Sequence, residues 1–128
     1  MYLNERQRSL LTVVLIAAVV FGSSQLLRIW GADAQGQALR ERVRPGDIVM
    51  LSSENCLYCV RARHWLDAQH VPYRACFIET DAACRAAYEA HGARGTPMML
   101  VRGQTLVGFD VPGLLEALSP HHPAAAPG

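Results

Sequence analysis

Between Arg8 and Arg28 the chain carries no charge, and this gap limits what the first quarter of the sequence can become. Leu10 to Phe21 is apolar save for Thr12, and Leu26, Leu27, Ile29 and Trp30 resume the pattern after Ser23, Ser24 and Gln25. A helix needs about 20 residues to cross the hydrocarbon of a bilayer, and Ser9 to Leu27 supplies nineteen uncharged ones. A cleaved signal peptide competes with this reading, since Arg6 and Arg8 precede the apolar stretch and Gly22, Ser23 and Ser24 offer small residues for cleavage. A buried helix of a soluble protein is the third option. The apolar continuation to Trp30, a residue suited to the membrane interface, favours an uncleaved anchor, because a cleaved peptide has no need of it.

Residues 1–30 are thus expected to be a single-pass anchor that meets the membrane through residues 10–27. Basic residues flank the apolar run on both sides, so charge orients it weakly. A short N-terminal flank followed by a folded domain reads as N-in and C-out, which in a bacterium places the domain in the periplasm. A linker is expected over residues 31–46, closed by the turn signal Pro45-Gly46, with a short helix possible over Ala38 to Arg44. The folded domain then spans residues 47–119, and a disordered tail residues 120–128.

Net charge is +1, so no strong field draws the chain toward nucleic acid or acidic substrates. All twelve basic residues are Arg, which assigns no function by itself. A monomer is expected.

Inside the domain, helical and extended patterns alternate. Ile48 to Leu51 is a short, continuously apolar run, as in a strand buried on both faces. Cys56 to Gln69 reads as a helix with Asn55 as its cap, stopped before Val71-Pro72. Tyr73 to Ile78 is a second strand. Thr80 or Asp81 caps a helix running to His91, with Gly92 beyond it. Pro97 to Val101 and Thr105 to Phe109 flank the hairpin turn Arg102-Gly103-Gln104, and Val111 to Leu118 is a last helix with Pro112 in its first turn. The order βαβαββα predicts an α/β fold: a mixed four-stranded sheet with one parallel pair, one antiparallel hairpin and flanking helices.

Cys56-Leu57-Tyr58-Cys59 lies just after the first strand and opens a helix. Two thiols three residues apart at a helix start can close a disulfide with little backbone movement. The unpaired N–H groups and the helix dipole there favour a thiolate, the form that attacks disulfides. A redox pair is favoured near a βαβ pattern. The competing readings are a structural bridge or half of a zinc site. Zinc needs two further ligands, and Cys76 and Cys84, with seven residues between them, fit poorly the two-to-four spacing of structural zinc pairs. No metal is therefore expected. Downstream, Gly95-Thr96-Pro97 joins a loop to the third strand. Proline is acceptable at a strand's first residue, and a cis bond there would turn the Thr96 backbone toward an incoming peptide or thiol.

Taken together, the Cys56-Leu57-Tyr58-Cys59 box, the Gly95-Thr96-Pro97 turn and the Val107-Gly108-Phe109-Asp110 stretch resemble the glutaredoxin family of the thioredoxin superfamily. The resemblance covers some 70 of the 128 residues. It implies a thioredoxin-like fold, with Cys56 the nucleophile and Cys59 the resolving thiol. It implies that Pro97 is cis, that Thr96 offers backbone hydrogen bonds, and that Tyr58, Gly108, Phe109 and Asp110 line the substrate groove. The chain departs from the family's pattern at several points. Leu57 replaces the usual proline, and Ser53 stands where glutathione-using members carry a basic residue. Val107-Gly108 replaces a glycine pair, and Asp110 is followed by Val111 in place of a second acid. Arg94 or Arg61 can substitute for the missing basic group.

Cys76 and Cys84 have two readings: a second disulfide or relay pair, or two small buried hydrophobes. A bridge requires Cα atoms within about 7 Å and an oxidising compartment. His64 and His91 read as solvated helix residues, Trp65 and Leu66 as packing of the first domain helix, and His121 and His122 as part of the tail.

The expected function is thiol–disulfide exchange at a membrane surface, acting on protein disulfides or glutathione adducts. No cofactor is expected, with glutathione as a potential co-substrate. The alternative is a non-enzymatic thioredoxin-fold module that binds metal through its thiols or serves as an adaptor.

Overall fold

A computed structural model describes residues 2–120. The expected tail, apart from Pro120, lies outside the described residues. The chain divides between Ala34 and Gln35 into two compact units.

The first unit is the apolar part of helix α1 (Glu5–Arg42). By length and composition α1 can cross a membrane, and none of the residues in its most apolar stretch is buried within the protein. Val13, Ile16, Val20 and Phe21 are all exposed, with apolar surface on every side of the helix. A helix apolar all round needs a nonaqueous surrounding.

The second unit begins with the last two turns of α1, where a linker was expected. Ala34, Gln35, Gln37, Ala38, Leu39 and Arg40 are good helix formers, so the helix continues to Arg42. Leu39 is fully buried and Val43 nearly so, both in the main core cluster. Arg40 donates to the Gln69 carbonyl, and Arg42 Nη1 donates to the Leu115 carbonyl at 3.0 Å. Pro45-Gly46 does make the expected turn, with Gly46 at φ +91°.

The remaining elements follow the expected order: β1 (Ile48–Ser52), α2 (Leu57–Ala68), β2 (Arg74–Phe77), α3 (Ala82–Ala90), β3 (Met98–Val101), β4 (Gln104–Val107) and α4 (Val111–Ala117). The sheet runs β2-β1-β3-β4. β1 and β2 are parallel, with Leu51 opposite Cys76; β1–β3 and β3–β4 are antiparallel, with Met50 opposite Met99 and Met98 opposite Val107.

Strand side chains alternate between two cores. Ile48, Met50, Met99 and Val101 face Leu39 of α1, Ala62 and Leu66 of α2, and Leu114 of α4. Val49, Leu51, Met98 and Leu100 face the other side, where Cys76, Cys84 and Tyr88 gather under α3. This is why β1 reads as unbroken apolar sequence: both faces are covered.

Arg102 ties several elements together. It and Gly103 form the two-residue turn between β3 and β4 with φ of 48° and 83°, the pattern that matches strand twist. The left-handed backbone is unfavourable for an arginine, but its guanidinium is held from several sides. It bonds Asp47 Oδ2 from Nη2 at 2.9 Å and from Nε at 3.1 Å, and donates to the Arg42 and Leu118 carbonyls. It thereby links the ends of α1 and α4 to the start of β1.

Two measurements probe this arrangement. Leu39→Ala is expected to lower the domain's unfolding free energy by about 2–5 kcal/mol, the cost of a large-to-small core change; a denaturant midpoint equal to wild type would show that α1 does not belong to the core. The second concerns acid. Burial pushes the Asp47 carboxyl up, but hydrogen bonds from Arg102 and the Arg44 backbone N–H, with the charges of both arginines, outweigh it and hold the carboxyl below its ordinary value. A depressed folded-state value contributes stability that is present above the ordinary Asp range and lost as pH falls through and below it. Asp47→Asn is therefore expected to show a smaller drop in unfolding midpoint than wild type between about pH 7 and about pH 3.

Candidate active site

The loop after β1 delivers Cys56 to the start of α2. Asn55 was the expected cap, but Cys56 itself takes the extended backbone of a cap (φ −118°, ψ 105°). Its sulfur accepts the Cys59 N–H at 3.1 Å, and the first intrahelical bond runs from Val60 N–H to the Cys56 carbonyl at 3.1 Å. The shift by one residue strengthens the chemical argument. The Cys59 N–H, one of the unpaired groups of the helix start, now points at the sulfur itself, which favours its thiolate once the bridge is reduced.

Cys56 and Cys59 form a disulfide with Cα atoms 5.2 Å apart. The two sulfurs differ in access: Cys56 is partly exposed, whereas Cys59 is fully buried. Leu57 and Tyr58 between them are 61% and 68% exposed, giving the cysteine pair an apolar rim.

Across from Cys56 stands the Gly95-Thr96-Pro97 turn. The Thr96–Pro97 bond is cis, as the resemblance implies. Cys56 Sγ lies 3.5 Å from the Thr96 carbonyl, within reach of an S–H donor in the reduced form. Gly108 (φ +87°) donates its N–H to the Pro97 carbonyl at 2.8 Å, and the Tyr88 hydroxyl accepts the Gly95 N–H at 2.9 Å. These bonds fix the turn from both sides. Behind it, His91 is half-buried, with Nδ1 2.9 Å from Thr105 Oγ1. The chain end of α3 folds against β4 there, so this histidine is not a freely solvated helix residue.

A groove of about 500 Å³ runs along this turn. Tyr58, Thr96, Pro97, Gly108 and Phe109 line it, all residues the resemblance assigns to substrate. Asp110 does not line it. Its carboxylate accepts the Gly113 N–H at 3.0 Å and caps α4, a use of Asp that competes with ligand binding. Trp65, read from sequence as packing alone, does both jobs. It packs on Phe109 with ring centroids 5.6 Å apart and forms part of the groove floor. Its spacing of seven residues from Tyr58, with Arg61 and Ala62 at the intervening positions of the same helix face, could have pointed to it. Arg61 and Arg94 also line the groove, at the positions considered as substitutes for the absent basic residue.

Glu79 was not singled out from sequence. It bonds the Ser53 hydroxyl and accepts the Glu54 N–H at 3.3 Å. The Ser53 hydrogen bond, with help from the Glu54 N–H and the Arg85 charge, holds the Glu79 carboxyl below its ordinary value. Negative charge therefore stands beside the loop that leads to Cys56. The two residues are 26 apart in sequence, and only the parallel pairing of β1 with β2 brings them together.

Cys76 and Cys84 are joined as a second disulfide, with Cα atoms 5.5 Å apart. Asp81 caps α3 by accepting the Ala83 and Cys84 N–H groups, which sets Cys84 in the first turn facing β2. Both sulfurs belong to the core under α3, on the sheet face opposite α2, and their residues are only 5% and 2% exposed. Among the described residues, no three His, Cys, Asp or Glu side chains cluster as a metal site would require.

The glutaredoxin family model matches residues 48–106. Solved structures similar to the chain include the thioredoxin-like protein BC3987, at 24% identity over 55% of this chain and 97% of that one, with a TM-score of 0.48. A point mutant of it aligns at 25% identity over 56% of this chain and 99% of that one, with a TM-score of 0.49. No curated protein matches the chain. The family match, the β2-β1-β3-β4 sheet with its single parallel pair, and the Cys56–Cys59 pair at the head of α2 identify residues 48–106 as a glutaredoxin domain of thioredoxin-like fold.

Proposed function

We propose that the protein is a membrane-tethered thiol–disulfide oxidoreductase whose substrates are protein disulfides. The observation that carries this reading is the position of Cys56: its sulfur caps α2, is partly exposed, and is bonded to a buried Cys59. In the reduced form the N–H groups of the helix start stabilise the Cys56 thiolate. That thiolate attacks one sulfur of a substrate disulfide and expels the other as a thiolate. Cys59 then attacks Cys56 Sγ, closes the Cys56–Cys59 bridge and releases the substrate's first sulfur as a thiol. In the opposite direction the same bridge accepts electrons from a substrate dithiol.

The groove favours an extended polypeptide. Its floor is apolar through Trp65, Pro97 and Phe109, Leu57 and Val107 add exposed apolar surface, and the Thr96 backbone stands beside the reacting sulfur. Glutathione, with two carboxylates, needs cationic contacts. Arg61 and Arg94 offer them along the groove, but the Ser53 side of Cys56 carries the Glu79 carboxylate in place of a basic residue. Glutathione adducts are thus the second substrate class, behind protein disulfides.

The tether is α1, and the domain stands on the oxidising side of the membrane. Support for the compartment comes from the Cys76–Cys84 bridge, since structural disulfides persist where thiols are not kept reduced.

In a disulfide-exchange assay Cys56→Ser is expected to abolish turnover, while Cys59→Ser is expected to accumulate a covalent mixed disulfide with substrate. Full activity in Cys56→Ser overturns the proposal. A reporter fused after Ser119 is expected to be reached by a membrane-impermeant thiol or protease probe from outside the cell. Protection of the reporter in intact cells, and exposure only after lysis, would place the domain in the cytoplasm.

A further inference from the structure

β1 ends in a buried hydroxyl without a partner. Ser52 is fully buried, and its Oγ makes no hydrogen bond. Its carbonyl accepts the Ile78 N–H at 3.0 Å, while the side-chain hydroxyl is left over. Buried polar groups without partners are uncommon, and each one calls for a reason.

Its position supplies one. Side chains alternate along a strand, and Ile48 and Met50 lie in the core that contains Ala62 and Leu66 of α2. Ser52, two residues beyond Met50, faces the same way. On α2 the fully buried residues are Cys59, Ala62 and Leu66, spaced three and four apart on one stripe. The connection from β1 to α2 is short, Ser53 to Cys56, so the first turn of the helix begins close to the end of the strand. Within that stripe Cys59 is the residue nearest the chain reversal, as Ser52 is within β1.

We propose that Ser52 is a positioning residue for the resolving cysteine: its hydroxyl donates a hydrogen bond to the Cys59 sulfur when Cys59 is a thiolate. This rests on the redox reading of the Cys56–Cys59 pair. Burial alone raises a thiol's pKa, so a fully buried Cys59 would be a poor nucleophile without a donor. In the disulfide the Cys59 sulfur is held toward Cys56, and the Ser52 hydroxyl stays unpaired. In the mixed disulfide Cys59 is free. The Ser52 O–H stabilises its thiolate, which attacks Cys56 Sγ; the Cys56–substrate bond breaks and the electron pair leaves on the substrate sulfur. The proton lost by Cys59 ends on that leaving thiolate. No further reactant is required.

The test uses the full chain in detergent. In a Cys56→Ala background, where Cys59 is a lone thiol, Ser52→Ala is expected to raise the Cys59 pKa by about one unit, read from thiolate ultraviolet absorbance. With both active-site cysteines present, Ser52→Ala is expected to slow resolution of a preformed mixed disulfide about tenfold, the effect of one hydrogen bond to an ionised group. Formation of that mixed disulfide is expected to keep its wild-type rate. Ser52→Thr keeps the hydroxyl and is expected to restore both values, whereas Ser52→Val, equal in shape but lacking it, is not. This pair decides the matter if the alanine variant fails to fold. An unchanged Cys59 pKa and resolution rate in a folded variant overturn the role of Ser52 while the oxidoreductase reading stands. Absence of any exchange by the unmutated protein would instead overturn that reading.

Discussion

The seam between α2 and β1 governs the rest of this molecule. Cys59, Ala62 and Leu66 lie fully buried along one side of α2, and Ile48, Met50 and Ser52 lie fully buried along one side of β1. The requirement is hydrophobic and nonspecific, yet it has a chemical result. Once Ala62 and Leu66 enter the core, the helical repeat places Cys59 on the same buried side of α2. Cys56, one turn earlier and at the capping position, is left at the surface. The asymmetry between an accessible Cys56 and a covered Cys59, which the proposed mechanism uses for attack and resolution, is thus a by-product of how a helix packs on a sheet.

A glutaredoxin domain of some 60 residues has little interior, and small domains bury a modest fraction of their surface. This chain enlarges the interior with the end of α1. Leu39 and Val43 complete a core that α2 and α4 leave open, and Arg40, Arg42 and Arg102 fasten the segment through backbone carbonyls. Exposed ion pairs contribute little. What distinguishes Arg102 is that one guanidinium serves Asp47, Arg42 and Leu118 together, so the separate ends of three segments share a single fixed point.

Strands and helices were legible where a local pattern reflected a local cause. β1 announced itself as continuous apolar residues because two cores flank it, and Asp81 announced a helix start because a carboxylate satisfies unpaired N–H groups there, whereas Asp110, assigned to the groove, takes the same capping role at α4. The reading failed where the cause was not local. Residues 31–46 looked like a linker because Gly31, Gly36 and several polar residues dilute the pattern; good helix formers carry α1 on to Arg42, and the core that receives Leu39 makes that last part belong to the domain. Asn55 is the better capping residue by type, but the β1–α2 turn brings Cys56 into the capping conformation and its own sulfur receives the N–H. Trp65 looked like packing because a periodic pattern cannot tell a core residue from one at the edge of a groove. Glu79 was invisible because it meets Ser53 only through the pairing of β1 with β2.

The two disulfides divide along the same physical lines. Cys56–Cys59 joins residues one helical turn apart, at a helix start, beside a groove and with one partly exposed sulfur. The Cys59 N–H of the helix start points at its outer sulfur. Cys76–Cys84 joins a strand to the following helix inside a closed apolar core, with both residues nearly inaccessible. A thiolate has no way in, and exchange requires one. Burial therefore separates the surroundings of two chemically identical bonds in one small domain. On the proposed function the first cycles while the second stays closed, joining α3 to the sheet, and α3 in turn carries Tyr88, whose hydroxyl holds Gly95 and with it the turn that faces Cys56.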